Sequence, residues 1–224
     1  MSKHIFNFES QSTFMKTEQE YIKDLTEIRS MMERSTKFLS LSGMSGVMAG
    51  VYALAGAFLI RKSFYSRYTD ERIIDASAVS SEDITGSTDL FVITFSMLIL
   101  AVGTAVFLSY RKSGKKGEKL WNAAAKRLVI NMAIPLVTGG ILILILFTKG
   151  WLFLIAPATL LFYGLALVNA SRFTYDDLRY LGFIQIVLGL ISTYFIEHAL
   201  LLWAIGFGIM HIVYGIIMHL KYEK

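Results

Sequence analysis

Six stretches of the chain, at about 41–60, 90–110, 128–148, 151–171, 180–196 and 199–220, are apolar throughout and contain no Asp, Glu, Lys or Arg. A bilayer core needs roughly 20 such residues at about 1.5 Å rise each. One window of this kind fits a buried soluble helix, but six in succession do not. Lipid offers the backbone no hydrogen-bonding partners, so each stretch is expected to be a helix. The pattern predicts an all-α membrane bundle of six transmembrane helices in three helical hairpins, one domain over 41–220. Strands are not expected.

The polar pieces around the spans differ in kind. Residues 1–40 are read as a cytoplasmic N-terminal piece with an amphipathic helix over 12–40. Tyr21, Leu25, Ile28, Met32, Ser35 and Leu39 recur at alternating four- and three-residue steps, which lines one face. The opposite face mixes Glu20, Lys23, Asp24, Glu27, Arg29, Glu33, Arg34 and Lys37. A helix that docks on anionic lipid is richer in Lys and Arg than this, so the pattern fits packing against the protein's own cytoplasmic side, or a protein partner or self-association. Residues 61–89 form an outer loop holding Asp70, Glu71, Asp75, Glu82, Asp83 and Asp89 without EF-hand spacing. Residues 221–224 are a short tail. The first apolar run begins only near Leu41, so no cleavable signal peptide is expected and the first span reads as a retained anchor.

Charge then sets an orientation. With the N-terminus inside, the connections that follow even-numbered spans and the two ends hold Lys3, Lys16, Lys23, Arg29, Arg34, Lys37, Arg111, Lys112, Lys115, Lys116, Lys119, Lys126, Arg127, Arg172, Arg179, Lys221 and Lys224. The other side holds Arg61, Lys62, Arg67, Arg72 and Lys149. Seventeen against five is a strong positive-inside bias. Both termini are therefore expected to be cytoplasmic. The net charge of +5 follows from the same distribution. The run Arg111–Lys119 has the composition that attracts lipid phosphate, or serves topology alone. No nucleic-acid partner is expected; the lipid bilayer is.

Inside the spans, small and polar residues carry the pattern. Gly182, Gln185 and Gly189 in the fifth span, and Gly208, His211 and Gly215 in the sixth, each share one helical face. A hairpin turning at Glu197–His198 would set these faces level, with Gln185 near His211. Glycine permits close backbone approach in lipid, and polar side chains bond across such contacts. Gly46 and Gly50 in the first span form a GxxxG, flanked by Gly43, Ala53 and Ala57. Pro135 is a candidate kink in the third span. Tyr163, Gln185, His211 and Tyr214 are the candidate intramembrane polar site, because an ionisable group at midspan is rare. The plainer reading of the same residues is interhelical glue.

Specific chemistries find little support. Zero Cys removes thiolate catalysis and Cys-type metal sites. Haem or copper needs paired histidines on neighbouring helices, and the other candidates are His198 at the outer turn, His219 at the inner end and His4 in the tail, which is poor geometry. There is no Walker spacing and no carboxylate within a span. Glu197 beside His198 is at most an exposed acid–base pair. Thr174-Tyr175-Asp176-Asp177 reads as a capping box for the fifth helix. No catalytic residue, metal site or cofactor is assigned.

Met31-Met32-Glu33-Arg34 with Phe38-Leu39-Ser40-Leu41-Ser42-Gly43, and Leu202-Trp203-Ala204-Ile205-Gly206-Phe207-Gly208 with Tyr214-Gly215, resemble segments of an uncharacterised group of bacterial polytopic membrane proteins. The resemblance implies a multi-span fold and carries no activity. The sequence thus suggests a non-catalytic scaffold, sensor or accessory subunit acting through its cytoplasmic helix. The alternative is a small-molecule permease or channel with a midplane site at Gln185 and His211.

Overall fold

The computed structural model describes residues 20–26, 37–39, 42–67, 84–115 and 121–223. Among these the regular structure is entirely helical. Residues 20–26 form α1. The main helices are α2 (Gly43–Arg67), α3 (Ile84–Lys115), α4 (Ala123–Thr148), α5 (Ile155–Ala170), α6 (Leu178–Tyr194) and α7 (Ile196–Tyr222). A 3₁₀ turn, Leu152–Leu154, leads into α5. Within α7 the winding changes from α to π over Ala204–Met210 and returns to α from His211.

Five helical stretches are long and apolar enough to cross a membrane: Gly43–Lys62, Phe91–Lys115, Ala123–Thr148, Leu152–Phe173 and Ile196–Tyr222. The apolar helix α6 is shorter, at 17 residues. In α3, no residue of the most apolar 18-residue stretch is buried. Phe91, Phe95, Leu98, Ile99 and Val106 all face outward. So exposed an apolar surface is costly in water and ordinary in lipid.

Two close crossings organise the packing. In the first, α2 runs antiparallel to α7. A Cβ on Gly43 would stand 2.5 Å from the His219 amide nitrogen, and one on Gly215 would stand 2.6 Å from the Gly43 carbonyl oxygen. Gly50 faces the Gly208 carbonyl in the same way. In the second crossing α6 runs antiparallel to α5, with Gly164 and Gly182 each against the other's carbonyl and Gly189 against Leu161. The expected pairing of the Gly182/Gly189 stripe with the Gly208/Gly215 stripe is therefore corrected. Each stripe packs against a different partner helix, because the most extensive contact of α6 is with α5 and that of α7 is with α2. The helix α4 packs on α5 through Gly139, which meets Phe162. It runs unbroken through the buried Pro135. The helix α3 packs on α2, where Tyr52 and Thr104 share a 3.2 Å hydrogen bond.

Several expected boundaries move. The outer loop does not span 61–89: α2 continues to Arg67 and α3 begins at Ile84, leaving 68–83 outside the described residues. Most of the amphipathic 12–40 segment also lies outside them; the part in α1 is helical, with Tyr21 and Leu25 exposed, but residues 37–39 are not helical, so the expected helix does not run on to 40. The Thr174–Asp177 capping box does not form. Asp177 makes no cap bond. The Thr174 hydroxyl instead donates to the Phe38 carbonyl at 2.7 Å.

That bond belongs to a polar belt at one end of the bundle. The Phe38 amide donates to the Phe173 carbonyl at 2.7 Å, and the Tyr175 hydroxyl donates to the Leu39 carbonyl at 2.6 Å. Lys37 pairs with Asp176 at 2.9 Å. Asp177 receives the Lys221 ammonium at 2.7 Å and the Tyr222 hydroxyl at 2.9 Å. Glu223 accepts the Gly43 amide at 2.8 Å, Lys112 at 2.9 Å and His219 Nδ1 at 2.5 Å. It thereby joins the start of α2 to the ends of α3 and α7.

Burial raises the Glu223 pKa, but the bonds from Lys112, His219 and the Gly43 amide outweigh it and hold the carboxyl at about 2, against an ordinary 4.5. Asp177 is lowered as well, chiefly by the bond from Lys221. A carboxylate depressed in the folded state contributes stability that is full above its unfolded pKa and lost as pH falls through the folded one. Thermal melts in detergent should therefore show stability falling as pH drops from 4.5 towards 2. Glu223→Gln should flatten that part of the profile and cost about 1–2 kcal/mol at pH 7, the worth of charge-assisted bonds. A pH profile unchanged by Glu223→Gln would assign the dependence to other carboxylates.

Candidate functional site

Tyr163 on α5, Gln185 on α6 and His211 on α7 come together inside the bundle. Gln185 is fully buried and His211 nearly so. The Tyr163 hydroxyl lies 2.8 Å from His211 Nε2. His211 Nδ1 lies 3.0 Å from the Gly206 carbonyl oxygen, and Gln185 Nε2 lies 2.7 Å from the same oxygen. The site is thus three side chains around one backbone carbonyl.

The donors follow from the acceptor. A carbonyl oxygen only accepts, so in the bonded ring the proton sits on Nδ1 and Nε2 accepts from the tyrosine hydroxyl. The amide orientation of Gln185 follows likewise, since turning it over would press Oε1 against the carbonyl oxygen. Gln185 Nε2 and His211 Nδ1 are 3.4 Å apart because both donate to Gly206, not because they bond each other. The contact of Gln185 with His211 therefore runs through a third group.

Local structure makes this possible. His211 follows Gly206 by five residues, inside and just past the π segment Ala204–Met210. One turn of wider winding brings the imidazole back over a carbonyl of its own helix, and such π turns recur at functional sites. Gly206 must also be small. A Cβ there would stand 2.6 Å from Gln185 Oε1 and 2.6 Å from a Leu160 methyl. Aromatic rings wall the group: Phe207 lies 4.9 Å from Tyr163, 5.0 Å from Trp203 and 5.7 Å from His211, centroid to centroid. The Trp203 indole donates to Thr159 at 3.1 Å.

Both ring nitrogens of His211 are engaged, so binding a metal or haem there would require breaking the Tyr163 bond. Three buried polar atoms find no hydrogen-bonding partner among the described residues: Gln185 Oε1, Ser192 Oγ and Tyr214 Oη. Tyr214, one turn beyond His211, does not join the bonded trio. It packs with Tyr163, Met132 and Met210 against an apolar cluster containing Phe38, Leu167, Leu178 and Leu181. Gly46 and Gly50 face His211, Gly215 and Gly208 backbone across the α2–α7 crossing. Glu197 and His198 are exposed, 3.6 Å apart, at the start of α7.

Sequence reasoning misses Gly206, the Thr159–Trp203 bond and the whole polar belt. For Gly206 no sequence signal exists, since its role depends on a five-residue step that α-helical periodicity does not predict. Comparison with protein-family models, curated proteins and solved structures gives no match.

Proposed function

We propose that the chain is a six-span protein of a bacterial cytoplasmic membrane, with both termini inside. It acts as a scaffold, sensor or accessory subunit through its N-terminal segment, without catalysis. In support of six crossings, the short helix α6 lies antiparallel along α5 through Gly164 and Gly182. The belt also gathers the start of α2, the turn between α5 and α6, and the ends of α3 and α7. Helices gathered this way alternate in direction. The positive-inside count supports placing that end in the cytoplasm.

One observation carries the functional reading: residues 37–39 are tied to 173–176 by three hydrogen bonds and an ion pair. A partner pulling on the segment before Lys37 would act directly on the turn between α5 and α6. A second reading, a permease or channel through Tyr163, Gln185, His211 and Tyr214, is favoured by the unpartnered Gln185 Oε1 and Tyr214 Oη.

Single cysteines in this Cys-free chain separate the two. Tyr163→Cys, Gln185→Cys and His211→Cys should resist a membrane-impermeant thiol reagent from either face of a proteoliposome, while Lys149→Cys and Lys126→Cys each react from one opposite face. Fast labelling at the first three positions would replace the scaffold reading with the permease. Labelling of Lys149→Cys and Lys126→Cys from the same face would overturn the alternating topology.

A further inference from the structure

The sequence singles out Phe38 only as part of a resemblance, yet it is 6% exposed, deeper than most residues of α2. Its ring belongs to a cluster with Ala124, Ala125 and Leu128 of α4, Leu167 and Ala170 of α5, and Leu178 and Leu181 of α6. An aromatic from outside the helices thus fills the gap where three of them converge. Its backbone is pinned on both sides, the amide to Phe173 and the carbonyl to Thr174, each at 2.7 Å.

The position of this cluster relative to the polar trio can be read along each helix. Leu167 follows Tyr163 by four residues, and Leu181 precedes Gln185 by four, so each lies one turn, about 5.4 Å, nearer the belt. Tyr214, one turn beyond His211 in the same direction, packs on the cluster too. From the belt inward the order is Phe38, then the Leu167–Leu181–Tyr214 layer, then Tyr163–Gln185–His211. Both Tyr163 and Tyr214 therefore touch the layer that Phe38 seals.

We propose that Phe38 is a removable stopper. Residues 37–39 close the cytoplasmic side of the Tyr163–Gln185–His211 site, and their undocking connects that site to water. Held by one ring, three hydrogen bonds and an ion pair with an exposed Asp176, this segment is the part of the seal that can leave without unwinding a helix. The other members of the cluster all sit on α4, α5 and α6. The inference rests on the closed-bundle reading above and specifies what would open it: a partner that binds the N-terminal segment and withdraws it. Tyr214 Oη and Gln185 Oε1, unpartnered in the closed form, would then gain water.

The test uses the full-length chain in proteoliposomes with Tyr214→Cys as reporter. An impermeant thiol reagent is applied from the face that carries the N-terminus. With Phe38 in place labelling should be slow. Phe38→Ala should speed it by about tenfold or more, because local opening rather than global unfolding then limits access. Thr174→Val removes one pin while keeping the shape of the threonine, and should give a smaller increase in a chain whose fold is undisturbed. It keeps the proposal testable if Phe38→Ala fails to fold. Slow labelling in both variants, with helicity and monodispersity intact, overturns the stopper and leaves the closed bundle standing. Fast labelling with Phe38 in place overturns the closed bundle itself. Equal acceleration from the opposite face would mark general loosening and also overturn the stopper.

Discussion

Gly215→Ala is expected to lower the unfolding stability of the chain in detergent by about 3 kcal/mol, the upper part of the range for overpacked sites. The added methyl would stand 2.5 Å from the Val47 amide nitrogen and 2.6 Å from the Gly43 carbonyl oxygen. Neither atom can rotate away, because both belong to the backbone of α2. The only relief is to separate α2 from α7, which also pulls the Gly43 amide from Glu223. Gly103→Ala is the control. That glycine has nothing within 4 Å of its missing Cβ, so the change should stay within about 0.5 kcal/mol. Denaturant titration of the two variants side by side provides the measurement. Equal losses would mean that the α2–α7 crossing is not the close one and that glycine content alone governs stability.

The contrast between Gly215 and Gly103 shows where sequence reasoning stops. Apolar runs announce themselves because lipid demands length and uniformity: the stretch 128–148 sits within Ala123–Thr148, and 199–220 within Ile196–Tyr222. Small residues announce close approach without naming the neighbour. Gly182 and Gly215 stand on equivalent faces of adjacent helices, yet one meets Gly164 and the other meets Gly43. Hairpin register suggests the first pairing to try, while ridge-and-groove fit among six helices decides. Gln185 and His211 do meet, though through the Gly206 carbonyl and a π turn rather than a level hairpin.

At the belt the difficulty is of another kind. Lys112 and Lys221 read as topology charges and Asp177 as a helix cap, since each role is locally adequate. Their partners are distant in sequence: Lys112 binds Glu223, 111 positions on. Such pairs become visible only once the helix ends are brought together. Residues 37–39 are the extreme case. The sequence pattern carries the amphipathic helix through them, but they are not helical, and Phe38 supplies the aromatic that completes a three-helix core.

Gly206→Ala and Gln185→Leu should each destabilise the bundle, and their effects should not add. In Gly206→Ala the new methyl occupies a point 2.6 Å from Gln185 Oε1, so the amide is pushed off its perch. The 2.7 Å bond to the Gly206 carbonyl is then lost. Gln185→Leu removes the same bond directly. It also removes the oxygen against which the methyl would collide, leaving side-chain methyls of Leu160 and Leu188, at 2.6 and 3.3 Å, as the remaining neighbours. Each single change should cost about 1–3 kcal/mol, the penalty for stripping a buried polar group of its partner or crowding a packed one. The double variant should cost about as much as the worse single, a coupling of about 1 kcal/mol or more in the cycle. Tyr163→Phe supplies an independent comparison. It deletes a hydroxyl from the opposite side of His211, 2.8 Å from Nε2, and shares no atom with the clash at Gly206. Its cost, about 0.6–2 kcal/mol for an interhelical bond in a membrane protein, should add to that of Gly206→Ala far more nearly than Gln185→Leu does. Additive losses for Gly206→Ala with Gln185→Leu would mean that the amide is not held against Gly206, and the carbonyl-centred arrangement would fall with it.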